Sequence, residues 1–208
     1  MNTSANIHSS VEDTTVSIIV DGKVAHFDYG DLKKFHKGDS WLGCTVGFRV
    51  MQIAAREFSK PKLSEQALWS RDNLSIVSGH PGPGVKDAIE LVTATISSNH
   101  FQLHESVNTD GCSSGCNSSM RFEWWITADN KTIHIKLHDD IVPESFLQLL
   151  DRLNTEEDRS DNENEQDRKQ FDQMKNDLSN ILWNQSLDAS FVINQTAPST
   201  NSEVKKPC

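Results

Sequence analysis

The sequence predicts an α+β fold, a mostly antiparallel sheet of β-hairpins packed with about four helices. Three observations carry this. Two pairs of apolar, β-branched or alternating runs are each joined by a tight turn. Between and after these pairs, apolar residues recur at helical spacing. The order is hairpin, helix, strand, helix, hairpin, helix, helix, so strands pair locally with helices between them.

Residues 15–20 (TVSIIV) and 23–29 (KVAHFDY) flank Asp21-Gly22, a strong hairpin signal. A helix begins near Asp39 or Ser40, either of which can cap it, and runs to near Phe58 on Leu42, Val46, Val50 and Ile53. Gly43 and Gly47 fall inside it, and interior glycines cost about 1 kcal/mol each against alanine. A backbone or a ligand is therefore expected to approach that face closely. Residues 72–78 suit a short buried strand. The run Ser78-Gly79-His80-Pro81-Gly82-Pro83-Gly84 can only be a turn, and a second helix follows with Val85, Ile89, Val92 and Ile96 on one face. Residues 99–119 are a loop by composition. Residues 120–127 and 131–138 form a second hairpin, with Phe122, Trp124 and Ile126 facing inward beside Ile133, Ile135 and Leu137. Pro143 and Glu144 open a third helix on Phe146, Leu149, Leu150 and Leu153. An acidic linker at 154–167 precedes a fourth near 168–183, and residues 188–193 suit a final strand.

The 208 residues fit one domain at 14–193 with disordered ends, 1–13 and 194–208, and hydrophobic residues make up only 36%. A net charge of −10 without any Lys/Arg cluster excludes nucleic acid and an anionic membrane surface as partners. No apolar run reaches the length of a membrane span and no hydrophobic stretch follows Met1, so the cytoplasm is the expected compartment. Four cysteines there read as thiols or metal ligands before disulfides.

Three stretches, in order, resemble the FmdE family of formylmethanofuran dehydrogenase. Residues 35–49 (FHKGDSWLGCTVGFR) are similar to the signature that opens its first helix. Gly84-Val85-Lys86-Asp87-Ala88-Ile89-Glu90 is similar to its second helix opening. Val142-Pro143-Glu144-Ser145-Phe146 is similar to its third motif. The resemblance spans roughly residues 28–193 and implies a small α+β domain, often a homodimer, with a divalent metal near the first signature. The zinc ribbon that ends well-known members has no counterpart. Aligned on Gly38, Gly43, Gly47 and Arg49, His36 keeps the family's first histidine, but the second falls on Asp39. The two cysteines fall on Trp41 and Gly84. The metal site is thus either lost or rebuilt, because Trp and Gly side chains cannot ligate.

Candidate site residues follow. His36 and Asp39 stand before the first long helix, as metal ligands or an acid–base pair, or with Asp39 merely capping. Cys44 is either a replacement thiolate or a small buried hydrophobe. Gly79, His80, Gly82 and Gly84 form a ligand-binding turn, with amide groups and a helix start offered to an anion, or a rigid connection. His100, His104, Cys112 and Cys116 make a second candidate metal set, suited to zinc, in which each pair is four residues apart. His134 and His138 read as surface. Trp124 and Trp125 must face opposite sides of the sheet, which leaves one of them for a dimer interface.

The leading expectation is a small metal- or anion-binding protein, accessory or stand-alone, with its site between the first long helix and the 78–84 turn. One alternative is a metal-dependent small-molecule enzyme using His36 or His80 as acid and base. The other is a thiol-based sensor or interaction module built on Cys112 and Cys116.

Overall fold

The computed structural model describes residues 15–59, 69–104, 121–154 and 161–196. The first hairpin pairs β1 (Thr15–Val20) with β2 (Lys23–Asp28), and both turn residues, Asp21 and Gly22, have positive φ, the geometry that matches strand twist. Trp69 Nε1–H donates to Ser17 O at 2.7 Å, and Ile19 bonds residues 69 and 71 through its backbone, so this small sheet is tied to the chain entering β3 (Leu74–Ser78).

A short helix, α1 (Tyr29–Phe35), follows β2 directly and is not among the expected elements. Its signal is local all the same: Asp28 accepts from the Asp31 N–H while the Asp31 carboxylate accepts from the Asp28 N–H, a reciprocal cap at the start. The long helix α2 (Trp41–Phe58) begins after Ser40 as expected, although the Ser40 side chain does not cap it. It is buried without a break from Cys44 to Ala54. A helix buried on every side is central to its fold. Accordingly, α2 packs against α3 (Pro83–Thr93), α5 (Asp161–Asn184) and the inner face of the main sheet.

That sheet has five strands in the order β4-β3-β5-β6-β7. It comprises β3, β4 (Phe101–Leu103), β5 (Glu123–Ala128), β6 (Lys131–Leu137) and β7 (Phe191–Thr196). The α+β class holds. The sheet is mixed, because β4 pairs with β3 in parallel after the α3 crossover, and the other pairs are antiparallel. Trp124, Ile126, Ile133, Ile135 and Leu137 face the core as their alternation requires. Trp125 points the other way, stacked between His104 and His134 at centroid distances of 5.1 and 4.7 Å, so two imidazoles cover it within the chain.

Among the described residues there are six helices. None of them is long and apolar enough to cross a membrane. The helix α4 (Glu144–Asn154) lies against α5, and α6 (Leu187–Ser190) leads into β7. The acidic stretch read as a linker to 167 is helical from Asp161 onward. Charged residues hold such an exposed segment through pairs such as Glu165–Lys169, 2.6 Å apart, which an apolar pattern cannot reveal. The predicted second helix is shorter than expected. It ends at Thr93, where Ala94 adopts a left-handed conformation, φ 55°, with its N–H bonded to Glu90 O.

Candidate functional site

The α2 glycines are explained by a neighbouring backbone. A Cβ on Gly47 would lie 2.9 Å from Val85 Cα, and one on Gly84 would lie 2.6 Å from Cys44 N. The starts of α2 and α3 therefore meet with almost no side chain between them. This crossing brings the first signature and the 78–84 turn together, as the sequence suggests.

At the crossing, His36 is buried and both ring nitrogens are engaged. Ser40 N–H donates to Nε2 at 3.2 Å, which leaves the ring proton on Nδ1, and Nδ1–H donates to Asp87 Oδ2 at 2.7 Å. Trp41 packs edge-on against the ring at 5.2 Å. The imidazole thus takes the capping role at α2 that Ser40's own side chain does not fill, and it ties α1, α2 and α3 together. Asp87, which lies in the second family-like stretch but is not among the expected site residues, completes this contact. Asp39 is exposed, lining a polar depression with Trp41, Asp172 and Lys175. Cys44 is fully enclosed, and burial, with the Asp87 charge adding to it, pushes its thiol up to about 12. His36, Asp39 and Cys44 do not compose a metal site in this arrangement. The imidazole has no free lone pair, the carboxylate faces solvent and the thiol is sealed in the core. No group of three or more His, Cys, Asp or Glu positioned to hold a metal occurs among the described residues.

The second candidate set is split. Cys112 and Cys116 lie outside the described residues. His100 and His104 bracket β4, and four residues of extended chain separate them by about 13 Å, so this pair does not chelate as a helical pair would.

The 78–84 turn is held from within. Ser78 Oγ–H donates to His80 O at 3.0 Å and accepts from His80 N–H at 3.1 Å. Gly79 N–H donates to Glu123 O at 2.8 Å, and Gly82 N–H donates to His80 Nδ1 at 3.0 Å. The expected free amides of Gly79 and Gly82 are therefore occupied. Gly79 lets the turn lie against the chain at Arg121, Gly82 makes room for the His80 ring, and Gly84 admits α2.

Of the candidate residues at the crossing and in the turn, His80 alone lines a cavity with a ring nitrogen that has no partner among the described residues. It is only 8% exposed, packed against Phe122 at 5.0 Å and above Trp124 at 6.5 Å. Burial pushes its imidazole down to about 4, so the ring is neutral at pH 7. Because Nδ1 accepts from Gly82, the proton sits on Nε2. That Nε2–H has no protein partner among the described residues and is not sealed off, unlike His104 Nδ1.

His80 lines a cavity of about 240 Å³ between the starts of α2 and α3 and the α4–α5 pair. Its walls are mostly apolar, with Leu42 and Val46 on α2, Phe122 before β5, Phe146 on α4 and Phe171 on α5. Lys175 stands at its edge. The sequence marks Phe146 only as part of a buried helix face, and Phe171 falls within the expected fourth helix. That they enclose a space is set by how α4 and α5 cross α2, and no local pattern encodes that crossing. Compared with known proteins, the chain matches no protein-family model and no curated protein.

Proposed function

We propose that this chain is a small-molecule-binding protein whose ligand occupies the cavity between the starts of α2 and α3 and the α4–α5 pair. One observation carries the reading. A cavity of about 240 Å³ with aromatic and aliphatic walls is lined by one largely buried imidazole, that of His80, whose Nε2–H has no partner among the described residues. Concave, apolar sites with few, placed polar groups are how proteins hold small molecules. An engineered apolar cavity of about 150 Å³ already admits benzene, so the space here suits a larger body. The site coincides with the region favoured for a small anionic ligand on sequence grounds. The reading of the chain as a stand-alone relative of the FmdE family rests on the three sequence stretches alone.

The test is thermal unfolding of the full chain with naphthalene-sized apolar compounds, for the wild type and for Leu150→Trp, which fills the cavity from its half-buried wall. A ligand at a hundred times its Kd adds about 2.7 kcal/mol of stability. The melting temperature should rise for the wild type and not for Leu150→Trp. If no compound of this size moves the wild type, the cavity is packing space and the proposal fails.

A further inference from the structure

We propose that the ligand of this cavity is a small carboxylic acid, bound as the carboxylate with its head on His80 Nε2–H beside the start of α3 and its apolar body among Phe122, Phe146 and Phe171. This deepens the binding reading above and rests on it.

The donor comes first. Gly82 N–H holds His80 Nδ1 as the acceptor, so the ring can present only Nε2–H to the cavity. The ring is also kept neutral by its burial. That N–H has no hydrogen-bond partner among the described residues and is not sealed in the core, so an acceptor that enters the cavity can take it.

The surrounding electrostatics then choose among acceptors. Helices α2 and α3 both begin at the cavity wall, with Ser40 and Gly82 as the capping residues just ahead of them. Neither has an acid in its first turn or a carboxylate cap, so both positive helix ends stand unneutralised. Among the described residues, Lys175 is the only ionised side chain in the lining, and no carboxylate lines the cavity. The nearby acids are directed elsewhere. Asp39, ahead of α2, is exposed in the polar depression beside Trp41. Asp87 faces His36, and Asp172 is exposed while pairing with Lys175 at 2.7 Å. Two helix starts and an N–H donor favour a negative head, with the Lys175 charge already shared with Asp172. They favour it over a neutral alcohol or amide, and they oppose an amine. The volume, beyond what benzene needs, accommodates a body of about six to ten carbons.

The experiment is isothermal titration of the full chain at pH 7 with octanoate, octanamide, 1-octanol and octylamine. These share a chain and differ only at the head. Octanoate should bind tightest, by about tenfold over octanamide and 1-octanol, the scale of one charge-assisted hydrogen bond. His80→Phe should bring octanoate down to the level of 1-octanol, and His80→Gln, which restores an N–H donor, should recover part of the difference. The wild type supplies an independent reading through ¹⁵N spectra of its imidazoles. Octanoate should shift the His80 Nε2 resonance and leave that of His36 in place. Equal affinity for octanoate and 1-octanol with His80 unmoved, or tightest binding of octylamine, overturns the carboxylate and leaves the cavity reading intact. Binding of none of the four overturns both.

Discussion

Acidification should destabilise this protein through His80, by an amount the structure sets. Burial holds the imidazole at about 4 against an ordinary 6.5, because nothing charged offsets the loss of water around the ring. Between those two pH values the unfolded chain takes up a proton at this position and the folded chain does not. Stability from the neutral, buried ring is therefore complete above pH ~6.5, declines as the pH falls, and levels off below pH ~4. Each unit of difference is worth about 1.4 kcal/mol, so the full loss is about 3 kcal/mol. That is a large fraction of the ~5–15 kcal/mol typical of a domain. The assay is urea unfolding at pH 7.0, 6.0, 5.0 and 4.5 for the wild type and for His80→Gln, which cannot titrate. The glutamine offers its amide oxygen to Gly82 N–H in place of Nδ1, and any change in that bond shifts the variant's stability by an amount independent of pH. The difference between the two proteins should shrink by about 2–3 kcal/mol from pH 7 to 4.5. A difference flat to within ~0.5 kcal/mol would show that the ring titrates normally in the folded state, and the buried, neutral imidazole would have to be abandoned.

Three further outcomes follow from the same geometry. Gly84→Ala places a Cβ against Ser40 O and 2.6 Å from Cys44 N, and should cost about 3 kcal/mol in chemical unfolding. Gly22→Ala meets no atom within 4 Å and should cost only the ~1 kcal/mol of a left-handed residue, so equal losses would contradict the helix crossing. Cys44 should resist iodoacetamide at pH 8 in the folded chain and react in urea, as read by peptide mass mapping, because the sealed thiol is held at about 12. Modification of Cys44 at the same rate in both states would refute its enclosure. In ¹⁵N spectra His36 and His80 should show opposite tautomers, unprotonated at Nε2 and Nδ1 respectively, and matching tautomers would break both hydrogen-bond assignments.

Much of the fold is legible because its signals are local. Asp21-Gly22 dictates a tight hairpin whatever surrounds it. Alternation at Trp124–Ile126 and Ile133–Leu137 assigns a buried face because neighbouring strand residues point to opposite sides. The start of α2 at Ser40, and the meeting of its glycine face with something close by, are likewise readable, since a glycine inside a helix needs a reason. The cap that starts α1 also lies in the sequence, in Asp28 and Asp31, but so short a helix leaves no apolar period to announce it.

What stays hidden depends on residues distant in the chain. His36 resembles a ligand in sequence, but Asp87, 51 positions later, and the Ser40 amide consume both of its nitrogens. His100 and His104 have a chelating spacing only on a helix, and pairing of β4 with β3 makes that segment extended. His80 is visible as a histidine in a turn, but its tautomer, its neutrality and its free donor come from Gly82, Phe122 and burial. The sequence by itself determined most of the strands and helices, and that something must approach the glycine face of the first long helix, because propensity, turn chemistry and periodicity act over a few residues. The tertiary structure decided which polar atoms are already satisfied and which open onto a cavity, because hydrogen-bond saturation and enclosed volume belong to surfaces assembled from α2, α3, α4 and α5 at once.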